Sequence, residues 1–280
     1  MYLKLETLQP TFSYKIRGAW NVVLAMKERG DDRTMITASA GNHGQGLALA
    51  ARSERLKMRV YAPATAPQTK LQSMRALGAD VRLTGDYDEA ERSAKEDADR
   101  TGGVFISPYS HADVIAGAGT VGLEIYEDLP DLDVVVVPVG GGGLISGVAT
   151  ALESTRASVI GIEAQASCPF THSLKAGHIV PITVAPSLAD GLVGNLDPET
   201  VTFDVVRRLV RGVHTVSEDE IRMSLRDVVY EERLVVEAAA AVAVAGARKQ
   251  RFTQTGGAVQ KVAVILSGAN IDPEKLRAII

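Results

Sequence analysis

An α/β fold built on open parallel sheets is what this sequence predicts, and three observations lead there. Val134-Val135-Val136-Val137, flanked by further apolar residues, reads as a strand buried on both faces, the habit of a central parallel sheet. That strand runs straight into Gly140-Gly141-Gly142-Gly143, after which Leu144–Leu152 has helical period. Upstream, strands and helices alternate regularly, which implies βαβ units with right-handed crossovers.

Taken in order, Tyr2–Glu6 alternates apolar and polar residues and predicts a strand, and Leu8–Ser13 a loop. A helix from Tyr14 to about Arg29 ends at Gly30. Thr34–Ala38 predicts a strand, Ser39–Gly46 a polar turn, and Leu47–Arg55 a helix. Strands at Met58–Tyr61, Asp80–Leu83 and Val104–Ile106 alternate with helices at Gln68–Leu77 and Tyr87–Arg100. Pro63, Pro67, Gly78 and Gly85 punctuate the boundaries. Ala112–Tyr126 predicts a helix whose Gly117, Gly119 and Gly122 imply close approach of another backbone. After the glycine loop come strand Ser158–Glu163, helix Cys168–Ala176 and an irregular Pro186–Leu192. Helices Pro198–Val210, Glu218–Glu232 and Val236–Arg248 follow, then a last strand, Lys261–Leu266.

Strand, glycine loop and helix together make a phosphate cradle. Glycines bring N–H groups close to an anion, and the helix start adds unpaired N–H groups and the positive end of its dipole. The spacing is neither GxGxxG nor a P-loop, so the loop indicates phosphate without saying which. Ligands of open parallel sheets sit beyond the carboxyl ends of strands, where Ser39–His43, Gly140–Gly143 and Ser267–Asn270 all fall. The alternation divides into a smaller unit over 31–111 and a larger one formed by 1–30 and 112–280.

Composition narrows the class. With 280 residues, 46% hydrophobic, the chain has ample core for two modest domains. A net charge of -4, with basic residues unclustered, speaks against a nucleic-acid partner. Cys168 is the only cysteine, which excludes an internal disulfide framework and fits a reducing, cytoplasmic setting. Met1–Glu6 has no basic stretch leading into an apolar one, so no secretory leader is read there, and the longest apolar runs are too short to span a bilayer. Ala238–Ala245, all alanine and valine, reads as a small-residue helix packed tightly in protein. His111, His172, His178 and His214 lack metal-ligand spacing and read as surface or packing residues. His43 reads as a loop-shaping hydrogen-bonder and Asp190 as a residue that fixes its own loop. Taken alone, Lys15 is one more surface lysine.

Ser13-Tyr14-Lys15-Ile16-Arg17-Gly18-Ala19, Ser39-Ala40-Gly41-Asn42-His43, Gly140–Gly143 and Ser267-Gly268-Ala269-Asn270, in this order, resemble the threonine/serine dehydratase family. The similarity also takes in Asp113–Gly117 and Leu188–Gly191, and so nearly the whole chain. The resemblance implies pyridoxal-phosphate enzymes of the tryptophan-synthase-β fold type (fold type II), with two open parallel-sheet αβα domains. By it, Lys15 forms the covalent link with the cofactor aldehyde, and Gly140, Gly141, Gly142, Gly143 and Leu144 hold the phosphate. Asn42 lies beside the ring hydroxyl, Ser267 at the pyridine nitrogen, and Tyr14, Glu237 and Gly268 complete the cofactor's surroundings. Ser39, Ala40, Gly41, Asn42, His43 and Gly191 are implied to take the substrate.

The activity this implies is β-elimination from L-threonine or L-serine to a 2-oxo acid and ammonia, by a cytoplasmic homodimer without membrane or nucleic-acid partners. Alternatives are a 3-hydroxyaspartate dehydratase, a serine-racemase-like activity, a β-replacement enzyme like the cysteine synthases, and a catalytically silent ligand-binding protein. Racemising relatives carry a serine where this chain has Ala40, which implies poor racemisation. Those relatives also bind a divalent metal through a glutamate and an aspartate. Glu163 fits the first, but the matching region reads Ser167-Cys168-Pro169, so no metal is expected. The family's Glu-Pro-Ser/Thr-Gly segment stands here as Glu237-Ala238-Ala239-Ala240. Relatives carry a further segment ahead of the Tyr2–Glu6 strand, and the regulatory domain of biosynthetic threonine dehydratases has no counterpart after Asn270, so feedback inhibition through it is not expected.

Overall fold

The computed structural model describes residues 1–250 and 260–280. The chain divides into two compact units, Gln9–Gly117 and Met1–Leu8 with Ala118–Ile280. The first strand, β1 (Tyr2–Leu5), belongs to the larger. The smaller unit runs through α1 (Lys15–Glu28), β2 (Met35–Ala38), α2 (Asn42–Ser53), β3 (Met58–Pro63) and α3 (Gln68–Ala76). It continues with β4 (Asp80–Thr84), α4 (Tyr87–Thr101) and β5 (Val104–Phe105). Its four strands are all parallel, in the order β4-β3-β2-β5. Every residue of the central β2 is buried, as a strand covered by helices on both faces must be.

The division differs from the one expected, 1–30 with 112–280 against 31–111, because residues 9–30 and 112–117 go with the smaller unit. Helix α1 packs on α2 through Ala19, Val22, Val23 and Met26, which share one core with Leu47, Ala48 and Ala51. A single helix pattern read along the chain carries no mark of which sheet its apolar face will cover. The second difference is the start of α2. The polar stretch Ser39–Gly46 predicts a turn, yet the helix begins at Asn42. Its Gly44 and Gly46 are there because neighbours leave no room: a Cβ on Gly44 would meet Met74 Sδ at 2.6 Å, and one on Gly46 would meet the Ile16 backbone nitrogen at 3.2 Å.

In the larger unit the later elements are α5 (Ala112–Asp128, which starts in the smaller unit), β6 (Val134–Pro138), α6 (Gly143–Ala151), β7 (Ser158–Ala164) and α7 (Pro169–Ala176). Then come α8 (Thr202–Leu209), β8 (Gly212–Val216), α9 (Glu218–Tyr230), α10 (Ala238–Lys249), β9 (Val262–Leu266) and α11 (Pro273–Ile279). The five-stranded sheet is again all parallel, in the order β1-β9-β6-β7-β8. The valines of β6 are fully buried, as expected of a central strand. Helix α10 is buried from Ala238 to Ala247, and its alanines let it lie close on the sheet: a Cβ on Gly246 would sit 2.4 Å from Ile162 Cδ1. The glycines of α5 do what their spacing implied. A Cβ on Gly117 would meet the Arg17 carbonyl oxygen at 2.5 Å, and one on Gly119 the Gly147 oxygen at 2.9 Å.

Strand β8 and helix α11 carry no clear sequence signal. β8 mixes glycine and histidine with β-branched residues at a sheet edge and owes its form to pairing with β7, and α11 is only seven residues long. Helix α8 also starts later than the expected Pro198.

Candidate functional site

In the smaller unit the site is built around Lys15, the first residue of α1. A lysine meets the positive end of the dipole here, and no side chain of Tyr14 caps the helix. The Lys15 ammonium is held by the Pro108 carbonyl, to which Nζ donates at 2.7 Å, and it lies 5.1 Å from the Tyr14 ring centroid. Backbone contacts fix the helix that carries it. A Cβ on Gly18 would strike the Val114 oxygen at 2.6 Å, so Gly18 and Gly117 let α1 and α5 cross at backbone distance. On the other side, Gly46 brings α2 against Lys15 and Ile16. The loop presenting Pro108 is held by Ser107 Oγ, which accepts from Ser110 N at 3.0 Å.

The Ser39–His43 loop leaves β2 and opens α2. Ser39 Oγ accepts from Gly44 N at 3.0 Å and from Gly41 N at 3.3 Å, so part of the loop's N–H set is already engaged within the loop. His43 is 2% exposed, and its ring lies against the Ile106 backbone beneath the loop. Burial, with the Lys15 charge second, pushes its pKa down to about 3. Near neutral pH it is an uncharged imidazole packed under the loop, unsuited to act as a base.

In the larger unit, Gly140–Gly143 leaves β6 and Ser267–Asn270 leaves β9. The two strands are paired in parallel (Val134↔Val262), so the loops leave the same sheet edge side by side. Helix α6 starts at Gly143 with no side-chain cap and no acid in its first turn, a start that suits an anion. Leu144 is buried in that turn. The other expected residues gather at the same edge. Glu237 caps α10 with its backbone, its N–H donating to the Gly268 oxygen at 3.0 Å, while Ser267 is buried at the end of β9. Gly191 lies on α10, where its Cβ would be 3.6 Å from Ala239 Cβ, and Leu192 backs Gly140, whose Cβ would be 3.0 Å from Leu192 Cα. Asp190 fixes its loop as expected: Lys275 Nζ reaches its carboxylate at 3.0 Å and the Leu188 oxygen at 2.8 Å.

Two supporting residues, Thr202 and Phe170, escaped the sequence, and a third, Glu163, has a role there that the sequence did not indicate. Thr202 Oγ1 donates to the Gly141 oxygen at 2.8 Å, and the Phe170 ring fills the space beside Gly142. Glu163, fully buried, accepts from Phe170 N and Thr171 N at 2.8 Å each and from Thr171 Oγ1 at 2.7 Å. Burial raises its pKa to about 7 against the pull of those donors. Both oxygens of Glu163 are thus engaged by α7. Among the described residues no group of three or more His, Cys, Asp or Glu is placed to hold a metal, and no helix is long and apolar enough to cross a membrane.

The family model described as pyridoxal-phosphate dependent enzyme matches residues 1–268. An L-threonine ammonia-lyase of Thermotoga maritima is 41% identical over 283 residues, which span all of this chain and 69% of that protein. Among solved structures, the processed form of threonine deaminase isoform 2 from Solanum lycopersicum superposes with a TM-score of 0.90 at 38% identity, covering 99% of this chain and 81% of that one. Maize serine racemase does so with a TM-score of 0.90 at 31% identity, covering 99% and 85%.

Proposed function

The chain belongs to the pyridoxal-phosphate dependent enzyme family, and we propose that it is the lyase that converts L-threonine or L-serine to a 2-oxo acid and ammonia. The observation that carries this reading is the uncapped, acid-free start of α6 behind Gly140–Gly143, a cradle fitted to a phosphate. Gly140, Gly141, Gly142, Gly143 and Leu144 would hold the cofactor phosphate there. Lys15 would make the covalent link, with Tyr14, Asn42, Glu237 and Gly268 around the ring and the Ser267 hydroxyl at its nitrogen.

Bound in this way, pyridoxal phosphate supplies the electron sink for loss of the Cα proton and the β-hydroxyl. The Lys15 amine, a base once it is free, takes the Cα proton. The loop of Ser39, Ala40, Gly41, Asn42 and His43 orients the substrate carboxylate, with Gly191 beside it, through N–H groups other than that of Ser39, which donates to the Tyr61 oxygen at 2.9 Å. The neutral Ser267 hydroxyl does not hold a proton on the ring nitrogen as a carboxylate would, which favours prompt elimination over reprotonation. Ala40 offers no acid on the opposite face, so elimination outruns racemisation.

The same reading makes the protein a cytoplasmic homodimer without nucleic-acid or membrane partners. The net charge of -4 supports the absence of a nucleic-acid partner and the lone Cys168 a reducing compartment, while the dimer follows from the family resemblance and is tested by sedimentation. The activity is tested by the visible spectrum of the purified protein before and after L-threonine, with Lys15→Ala beside it. The expected result is a band that shifts with threonine and is lost in the variant, with ammonia released from threonine or serine. Thiol formation from O-acetylserine and sulfide without ammonia release from threonine would instead assign β-replacement. No band even with added pyridoxal phosphate would sink the proposal.

A further inference from the structure

The glycine loop is shaped from behind by a chain of contacts that begins at a buried acid. Gly142 leaves no space for a side chain, since a Cβ there would lie 2.5 Å from Phe170 Cζ and 2.9 Å from Thr202 Cβ. Phe170 is fully buried and is the second residue of α7. Its own N–H, and the N–H and hydroxyl of Thr171, all end on the carboxylate of Glu163, at 2.7–2.8 Å.

Glu163 is an unusual cap. The N-cap residue of α7, Cys168, gives no side-chain bond to the helix, and a serine or aspartate in its place would satisfy it from the surface. Here instead a carboxylate with no solvent exposure reaches out from β7, the strand paired with β6. Burying a carboxyl group is a costly way to cap an eight-residue helix. What it secures beyond a cap is register: α7 is tied to the sheet itself, and its first turn cannot slide relative to the loop that follows β6.

We infer that Glu163 is a positioning residue for the anion-holding loop, acting through Phe170, whose ring it keeps against the Gly142 backbone. This rests on the reading that Gly140–Gly143 holds the cofactor phosphate. The chemistry at stake is recognition of the phosphate, not of the aldehyde.

The test uses the full chain freed of cofactor, titrated with pyridoxal phosphate and, separately, with pyridoxal, which has the aldehyde but no phosphate. Wild type is expected to bind pyridoxal phosphate more tightly. Glu163→Gln is expected to lose about tenfold of that preference, with pyridoxal affinity unchanged. Phe170→Leu is expected to do the same, and the double variant to lose no more than the larger single loss. A wild type that binds both compounds alike overturns the loop reading, and the inference with it. A wild type that prefers pyridoxal phosphate while Glu163→Gln keeps the full preference overturns the inference alone. So do losses that simply add in the double variant, or an equal weakening toward both compounds. Should Glu163→Gln fail to fold by circular dichroism, Phe170→Leu decides, and full preference in that variant overturns the inference.

Discussion

Replacing Gly142 by alanine tests the packing of the loop against a control that shares its backbone but not its neighbours. Gly142 has φ +86° and Gly177, at the end of α7, has φ +80°. Placing any L-residue in this left-handed region costs about 1–2 kcal/mol, offset in part by the about 0.4–1 kcal/mol that a stiffer unfolded chain returns. Nothing lies within 4 Å of a Cβ on Gly177, so Gly177→Ala is expected to cost about 1 kcal/mol. At Gly142 the new carbon would sit 2.5 Å from Phe170 Cζ, in a region packed too well to yield. Overpacking of this kind adds about 1–3 kcal/mol, which brings the expected cost to about 2–4 kcal/mol. Urea unfolding followed by far-ultraviolet circular dichroism measures both, provided the transitions keep one slope. Phe170→Leu in the Gly142→Ala background is expected to recover part of the loss, because the two sites touch. Equal midpoint shifts for Gly142→Ala and Gly177→Ala would refute the argument, as would an unrelieved loss in the double variant.

Gly117→Ala is expected to cost at least about 1–3 kcal/mol, since its Cβ would meet the Arg17 carbonyl at 2.5 Å and neither helix backbone can move aside. Gly85→Ala should cost only about 0.5–1 kcal/mol although its Cβ would also find an atom at 2.5 Å, because that atom is the flexible end of Glu89, whose displacement gives up one exposed hydrogen bond from Gly85 N; unfolding midpoints compare the two. His43 stays neutral in the folded protein down to about pH 3, whereas the unfolded chain takes a proton below its ordinary 6.5. Its contribution to stability is therefore fully present above pH 6.5 and is lost as pH falls toward 3, by about 1.4 kcal/mol per unit. His43→Gln should accordingly remove about 2 kcal/mol of the stability difference between pH 6.5 and pH 5, read from urea unfolding at each pH. Ala40→Ser should raise the share of D-serine in L-serine incubations, which chiral chromatography measures; no change would show that this position does not set the outcome.

Much of the fold was legible because its signals are local. The valine run of β6, the glycines that end it and the helical period beyond are neighbours in sequence, and their order dictates strand, loop and helix whatever surrounds them. Likewise the three glycines of α5 announced backbone contacts without naming them. β8 escaped because an edge strand of mixed composition is made by its partner, and the early start of α2 escaped because Gly44 and Gly46 read as turn residues until the atoms that crowd them are known.

By itself the sequence determined the parallel α/β class, the strand, glycine loop and helix around Gly140–Gly143 and, through four ordered motifs, the family. Tertiary structure alone decided that α1 travels with the smaller unit, that His43 is buried, and that Glu163, Phe170 and Thr202 back the glycine loop. The physical reason is range. Backbone conformation and helix dipoles depend on residues a few positions apart, and a reader of the chain sees them directly. Burial, depressed or raised proton affinity, and the contact that denies Gly142 a Cβ arise between residues tens of positions apart, and exist only once the sheet has brought them together.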